Sequence, residues 1–136
     1  MILTDYNKLI EYAIKARELS YSPYSGFKVG AALLTKDGEI YTGCNIENAS
    51  YSETVCAERT SIFSAISKGK RDFVAIAIVG GIDKISDFTY PCGACRQVLA
   101  EHCESALEIV LFNGKELKIC TLGQFFPCSF NKNQIK

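Results

Sequence analysis

The sequence predicts an α/β fold in which one sheet is sandwiched between helical layers, and three observations carry that reading. Apolar residues recur at helical spacing near the start, at Leu3, Tyr6, Leu9, Ile10, Ala13 and Ile14. An unbroken apolar run, FVAIAIV over residues 73–79, has the character of a strand covered on both faces. Helical and extended patterns then alternate along the chain, which requires helices stacked on a sheet.

Element by element, Thr4 is a candidate cap for the first helix, and Ser22-Pro23 is expected to end it. Residues 27–35 (FKVGAALLT) read as a strand, Asp37-Gly38 as a tight turn, and residues 39–44 as the returning strand of a hairpin. A polar loop over 45–54 follows. Residues 56–68 have helical spacing through Ile62, Ala65 and Ile66, and Gly69 supplies the stop. After the run at 73–79, Gly80 and Gly81 are expected to open a loop, and Pro91 precedes a helix over 92–102. Residues 107–112 and 116–120 read as two strands joined at Asn113-Gly114. Five strands and three helices result, with no repeat or linker, so residues 1–136 are expected to form a single domain.

Composition narrows the function. Lysine and arginine total 15 and aspartate and glutamate total 15, so the basic excess typical of nucleic-acid binders is missing. No apolar run approaches the ~20 residues that span a bilayer. The opening MILTDYNKLIEYAIKARE mixes charged with apolar residues instead of presenting the apolar core of a secretory leader. The expected compartment is the cytoplasm. Seven cysteines, an odd number, in a reducing compartment point away from a disulfide framework and towards filler, redox chemistry or metal.

Two stretches decide among those. Cys56-Ala57-Glu58-Arg59 opens one predicted helix and Pro91-Cys92-Gly93-Ala94-Cys95 opens another. Free backbone N–H groups and the positive end of the helix dipole favour thiolates at such positions. Cys92 and Cys95 alone read equally as a redox pair or as metal ligands. Cys56 beside Glu58 shifts the balance to metal, since three protein ligands leave the fourth tetrahedral position of zinc open, as in catalytic sites. Residues two apart on a helix point in different directions, so Cys56 and Glu58 share a site only if it lies over the helix end. His102, about 10 Å along the helix from Cys95, is excluded as a partner ligand. Cys44, Cys103, Cys120 and Cys128 are expected to be small buried hydrophobes. In the loop after Cys44, Asn45 and Glu47 offer an amide and a carboxylate that suit a sugar diol. Phe27 is either a core residue or an aromatic face for a flat base.

Together these residues resemble the small, homotetrameric, zinc-dependent type of cytidine deaminase. The similarity runs from Ser22-Pro23-Tyr24-Ser25 and Val29-Gly30-Ala31-Ala32-Leu33 through Gly43-Cys44-Asn45-Ile46-Glu47-Asn48-Ala49, Cys56-Ala57-Glu58-Arg59-Thr60 and Pro91-Cys92-Gly93-Ala94-Cys95-Arg96-Gln97-Val98. The tail Phe125-Phe126-Pro127-Cys128-Ser129-Phe130 departs from the family's closing pattern, with Phe126 where leucine is usual. The resemblance implies a five-stranded mixed sheet between helices, zinc on Cys56, Cys92 and Cys95, and Glu58 as proton shuttle. It further implies Phe27 against the base, Asn45 and Glu47 on the ribose, the Ala57 backbone at the polar edge of the base, and Phe130 closing a neighbour's site. Arg59, next to Glu58, is expected to donate to the thiolates and withdraw charge. The implied reaction is deamination of free cytidine and deoxycytidine in pyrimidine salvage. Deaminases of nucleic acid, nucleotides or nucleoside antibiotics are the enzymatic rivals, and a structural zinc or redox module is the non-enzymatic one. Neutral charge and the carboxylate of Glu47 weigh against phosphate-bearing substrates.

Overall fold

Small side chains on one face of the sheet and large ones on the other decide how the helices of this protein pack. In the computed structural model, which describes residues 6–136, helix α1 spans Tyr6–Arg17 and is followed by strands β1 (Lys28–Thr35) and β2 (Ile40–Cys44). Helix α2 covers Ala57–Ser67, strand β3 Phe73–Gly81, and helix α3 Gly93–His102. Strands β4 (Glu108–Phe112) and β5 (Leu117–Thr121) lead into a short α4 (Leu122–Phe125). The sheet order is β2-β1-β3-β4-β5, with β3 and β4 parallel and every other neighbouring pair antiparallel. The expected five-stranded mixed sheet between helical layers is therefore observed. Among the described residues, no helix is long and apolar enough to cross a membrane.

Strand alternation assigns the two faces. Ala31, Leu33, Ile76, Ile78, Ile109 and Leu111 point to one side, where Ala57, Ile62 and Ala65 of α2 and Leu99 of α3 cover them. Ala32, Leu34, Ala75, Ala77, Val79 and Val110 point to the other, under Leu9, Ile10 and Ala13 of α1. Three alanines on that side let α1 lie close against the sheet. The approach is closest at Gly30, where a Cβ would collide with the Ala13 carbonyl and come within 2.5 Å of the Arg17 nitrogen. Because both obstacles are backbone, Gly30→Ala is expected to destabilise the chain by about 3 kcal/mol, the upper end of overpacking penalties. A urea midpoint equal to that of the parent chain would contradict this packing.

Several element ends differ from the sequence reading. Leu3 and Thr4 lie outside the described residues. Helix α1 stops at Arg17, not at Ser22, because Glu18, Leu19 and Ser20 close tighter turns onto Lys15, Ala16 and Arg17. Tyr21 then donates to the Asn45 carbonyl and accepts from the Glu47 N–H, which draws the chain into an extended bridge. Gly80 and Gly81 do not open a loop. They pair with Val29 and Lys28 as the end of β3, and glycine is needed because the Thr89 side chain and the Lys84 backbone press against them. The four unassigned cysteines are not fully buried: Cys44, Cys103 and Cys120 are half-buried, and Cys128 is exposed with φ +54°.

Register brings three segments to one end of the sheet. Lys28 opposite Gly81 and Gly30 opposite Cys44 place the start of β1 beside the ends of β2 and β3. Phe27, Asn45 and the loop that leads to α3 therefore share that end.

Candidate active site

Cys56 and Cys92 occupy equivalent positions, each the N-cap of its helix with extended backbone, at φ −79° and φ −70°. An N-cap side chain folds across the helix start, so Cys56 can serve a point over the end of α2. The starts of α2 and α3 converge there. The Cys56 and Cys92 sulfurs are 3.6 Å apart and those of Cys92 and Cys95 are 3.5 Å apart, with all three within 4.8 Å of one another. Tetrahedral zinc with ~2.3 Å bonds to sulfur requires neighbouring sulfurs about 3.8 Å apart, so the three thiols fit that metal. Cys95 is buried, Cys56 half-buried and Cys92 exposed. The Cys92 sulfur also accepts the Cys95 N–H at 3.4 Å.

The electrostatics show why such a cluster calls for a cation. Its contact with Cys95 above all, helped by Arg59 and Cys92, holds the Cys56 thiol down to about 5 against the opposing effect of burial. Ionised Cys56 and burial together push the Cys95 thiol upward. Adjacent thiolates repel, and only a cation among them favours ionisation of all three.

Glu58, in the first turn of α2, is 3% exposed, and its Oε1 is buried with no hydrogen-bond partner. Burial, with a smaller contribution from the Cys56 charge, pushes its carboxyl up to about 7. A carboxyl held half-ionised near neutral pH beside a metal-fitting cluster is equipped to take up and release protons. Arg59 Nη2 lies 3.6 Å from the Cys56 sulfur, and its Nε is buried without a partner. Ala57, the first residue of α2, is fully buried.

The loop after β2 is more constrained than a solvated loop. Asn45 is 8% exposed. Its Oδ1 accepts from the Val29 N–H at 2.9 Å and from the Ser20 hydroxyl, and its Nδ2 donates to the Phe27 carbonyl at 2.8 Å. Three of the four hydrogen bonds an amide can make are thus taken, leaving one N–H. Glu47 Oε1 accepts from the Tyr24 and Ser25 N–H groups at 2.9 and 3.1 Å, and Oε2 accepts from the Ser25 hydroxyl. These contacts hold the Glu47 carboxyl below its usual range, the Ser25 hydroxyl contributing most. A cavity of about 410 Å³ lined by Tyr24, Ser25, Glu47, Tyr51 and Thr54 opens beside it. The sequence reading did not single out Tyr24, Ser25 or Tyr51, which line this cavity. The turn signal at Ser22-Pro23 marked the bend but not its approach to Glu47. The Phe27 ring is 38% exposed and lies against Gly80, where a Cβ would stand 3.2 Å from it.

The tail divides. Phe125 and Phe126 pack against their own core, whereas Phe130 is 58% exposed and its carbonyl accepts from Gln97 Nε2 at 2.8 Å. Of the three tail aromatics, only Phe130 keeps its ring largely in the open.

The fold and the thiol cluster together define a deaminase-type domain whose three thiols are spaced for zinc. The family model for the cytidine and deoxycytidylate deaminase zinc-binding region matches residues 3–111. The chain belongs to the cytidine and deoxycytidylate deaminase family, and it is a hydrolase. It is 48% identical to a cytidine deaminase of Sporosarcina psychrophila over 132 residues, which cover 96% of this chain and 95% of that one. It is 50% identical to a cytidine deaminase of Halalkalibacterium halodurans over 127 residues, covering 93% and 94%. The crystal structure of cytidine deaminase from Burkholderia pseudomallei superimposes with a TM-score of 0.86 at 48% identity, covering 94% of this chain and 100% of that one.

Proposed function

We propose that this chain hydrolyses free cytidine and deoxycytidine to uridine and deoxyuridine with release of ammonia. In this reading residues 1–136 act as one catalytic domain serving pyrimidine salvage in the cytoplasm. The observation that carries the proposal is the partnerless, buried Oε1 of Glu58 beside three thiols spaced for zinc. Cys56, Cys92 and Cys95 would hold one Zn²⁺, which supplies a water ionised near neutral pH. Glu58 would hold the proton released there and deliver it to N3 of the cytosine ring, making C4 electrophilic. Once the water oxygen is bonded to C4, Glu58 would take the remaining proton from the new C4 hydroxyl and pass it to the 4-amino group, so that the C4=O bond forms as the C4–N bond breaks and ammonia leaves. Water and cytidine are thereby converted to ammonia and uridine with no other reactant.

Binding falls to the neighbouring segments. The remaining N–H of Asn45 and the free lone pairs of Glu47 are matched to ribose hydroxyls. The Phe27 ring supports the base, and the Ala57 backbone meets its polar edge. Glu47 also disfavours a 5′-phosphate through charge repulsion. Incubating purified protein with cytidine, deoxycytidine, deoxycytidylate and a cytosine-containing single strand, while following ammonia and the uracil product, tests the reading. Zinc-loaded protein silent on both free nucleosides would overturn it.

Arg59 supports turnover through charge. Three thiolates outweigh the two positive charges of zinc, and a guanidinium against the Cys56 sulfur offsets that excess. Arg59→Gln is expected to lower kcat roughly tenfold with a smaller change in KM. Steady-state kinetics showing unchanged kcat would refute the role.

The proposed assembly is a homotetramer in which Phe130 of one chain closes over the base in another. The exposed Phe130 ring favours this. Truncation after Thr121 is a poor test, since it would also remove Phe125 and Phe126 from the chain's own core. Phe130→Ala is cleaner. Loss of one aromatic stack, worth about 1–3 kcal/mol, should raise KM roughly tenfold while kcat stays within about twofold. A fully active monomer by light scattering at assay concentration would end the shared-site reading.

A further inference from the structure

The three thiols are not held equally well. Cys95 is buried in the α3 packing and Cys56 is half-buried beside Arg59, but Cys92 is exposed. Side-chain packing therefore does little to aim its sulfur, which is placed by the Cys95 N–H it accepts and by the backbone that leads into it. That backbone is Pro91, a buried residue whose ring fixes φ and leaves ψ as its one soft torsion. The peptide plane after Pro91 contains both the Pro91 carbonyl and the Cys92 nitrogen, so holding the carbonyl oxygen holds Cys92.

Arg96 grips that oxygen. From the end of the first turn of α3 its guanidinium reaches back, and Nε donates to the Pro91 carbonyl at 2.8 Å. Nη1 donates at 2.7 Å to the carbonyl of Phe125, the last residue of α4. The same guanidinium lies 5.3 Å from the centre of the Phe125 ring. Phe125 in turn meets the Tyr90 ring edge-on, at 5.5 Å and 70°. Lys118 of β5 donates to the Tyr90 hydroxyl at 2.9 Å and sits 5.0 Å from its ring centre. The two residues preceding Cys92 are thus tied to α3, α4 and β5 at once, with Arg96 at the junction.

We propose that Arg96 is a positioning residue for the metal: its two-pronged donation to Pro91 and Phe125 sets Cys92 and couples metal retention to the docking of α4. The Arg96 side chain donates to Pro91 and Phe125 rather than to the thiols, and acts through the Pro91–Cys92 peptide. A lysine cannot replace the planar fork, because it offers one compact charge where two divergent donors are needed. The proposal rests on the reading that Cys56, Cys92 and Cys95 hold zinc.

The experiment uses the zinc-loaded full chain and follows transfer of zinc to a chromogenic chelator, together with kcat, KM and thermal stability. Arg71→Gln is the control, since Arg71 also clamps carbonyls, those of Ile66 and Lys70 at the far end of α2. Arg96→Gln is expected to release zinc about tenfold faster than the parent, the lower end of losses seen when a ligand's supporting contact is removed. Its kcat should fall while KM stays within about twofold, and Arg96→Lys should be intermediate. Arg71→Gln should lose thermal stability without faster release. Should Arg96→Gln fail to fold, Phe125→Leu decides, because it keeps the carbonyl and removes only the ring under the guanidinium. About threefold faster release is expected there. Release at the parent rate in whichever variant folds, or equal acceleration in Arg71→Gln, overturns the clamp and leaves the zinc reading intact. A chain that takes up no zinc overturns both.

Discussion

Glu58→Gln is expected to keep the fold and the zinc and to lose activity by a factor on the order of 10⁴, the upper end for a general acid–base group. The reason lies in the surroundings of the carboxyl. Glu58 is 3% exposed and its Oε1 has no partner, so the amide fits the same space at little structural cost. What the amide lacks is a titrating proton. Burial pushes the native carboxyl up to about 7, which suits a group that must accept a proton and then give it away at neutral pH. In the proposed reaction one proton carrier serves the water, N3 and the leaving amine, so its removal should not be rescued elsewhere. The measurement is steady-state turnover on cytidine alongside zinc content and circular dichroism. A folded, zinc-bound Glu58→Gln protein with near-normal turnover would remove Glu58 from the reaction.

The Cys92→Ala/Cys95→Ala double variant is expected to carry almost no zinc and to be inactive, while the parent holds about one zinc per chain. Both deleted sulfurs belong to the start of α3 and lie 3.5 Å apart. Cys56 remaining alone on α2 cannot supply tetrahedral coordination, and most of a binding free energy of about 10–16 kcal/mol for thiolate-rich sites is lost. Elemental analysis after dialysis reads the result directly. Full zinc in the double variant would move the metal to other residues.

Much of this was legible before any coordinates. Cysteines at two predicted helix starts marked the metal cluster, because a helix start leaves unpaired N–H groups whatever the chain does elsewhere. Gly69 and Asp37-Gly38 marked a helix stop and a hairpin turn, and both glycines have positive φ. Such signals are local, set by a few adjacent residues. Errors arose where partners distant in sequence intervene. Gly80 and Gly81 carry a loop signal, yet pairing with β1 extends the strand through them. Ser22-Pro23 marked a break, but α1 had already ended at Arg17, before Tyr21 meets the loop after β2. Phe125 belongs to a one-turn α4 that carries a Thr121–Gln124 capping box but is too short to show helical periodicity.

The sequence by itself determined the inventory: one sheet of five strands, helices on both faces, three thiols and a carboxylate at helix starts, and a polar loop after β2. Those features follow from periodicity and capping, which act within a few residues. Only the tertiary structure decided that the starts of α2 and α3 meet with sulfurs 3.5–3.6 Å apart. It also decided that Glu58 is buried with its Oε1 unpartnered, and that Asn45 spends most of its hydrogen bonds holding the start of β1. Burial and convergence depend on which surfaces pack together across tens of residues, and a pattern of neighbours along the chain carries no record of that distance.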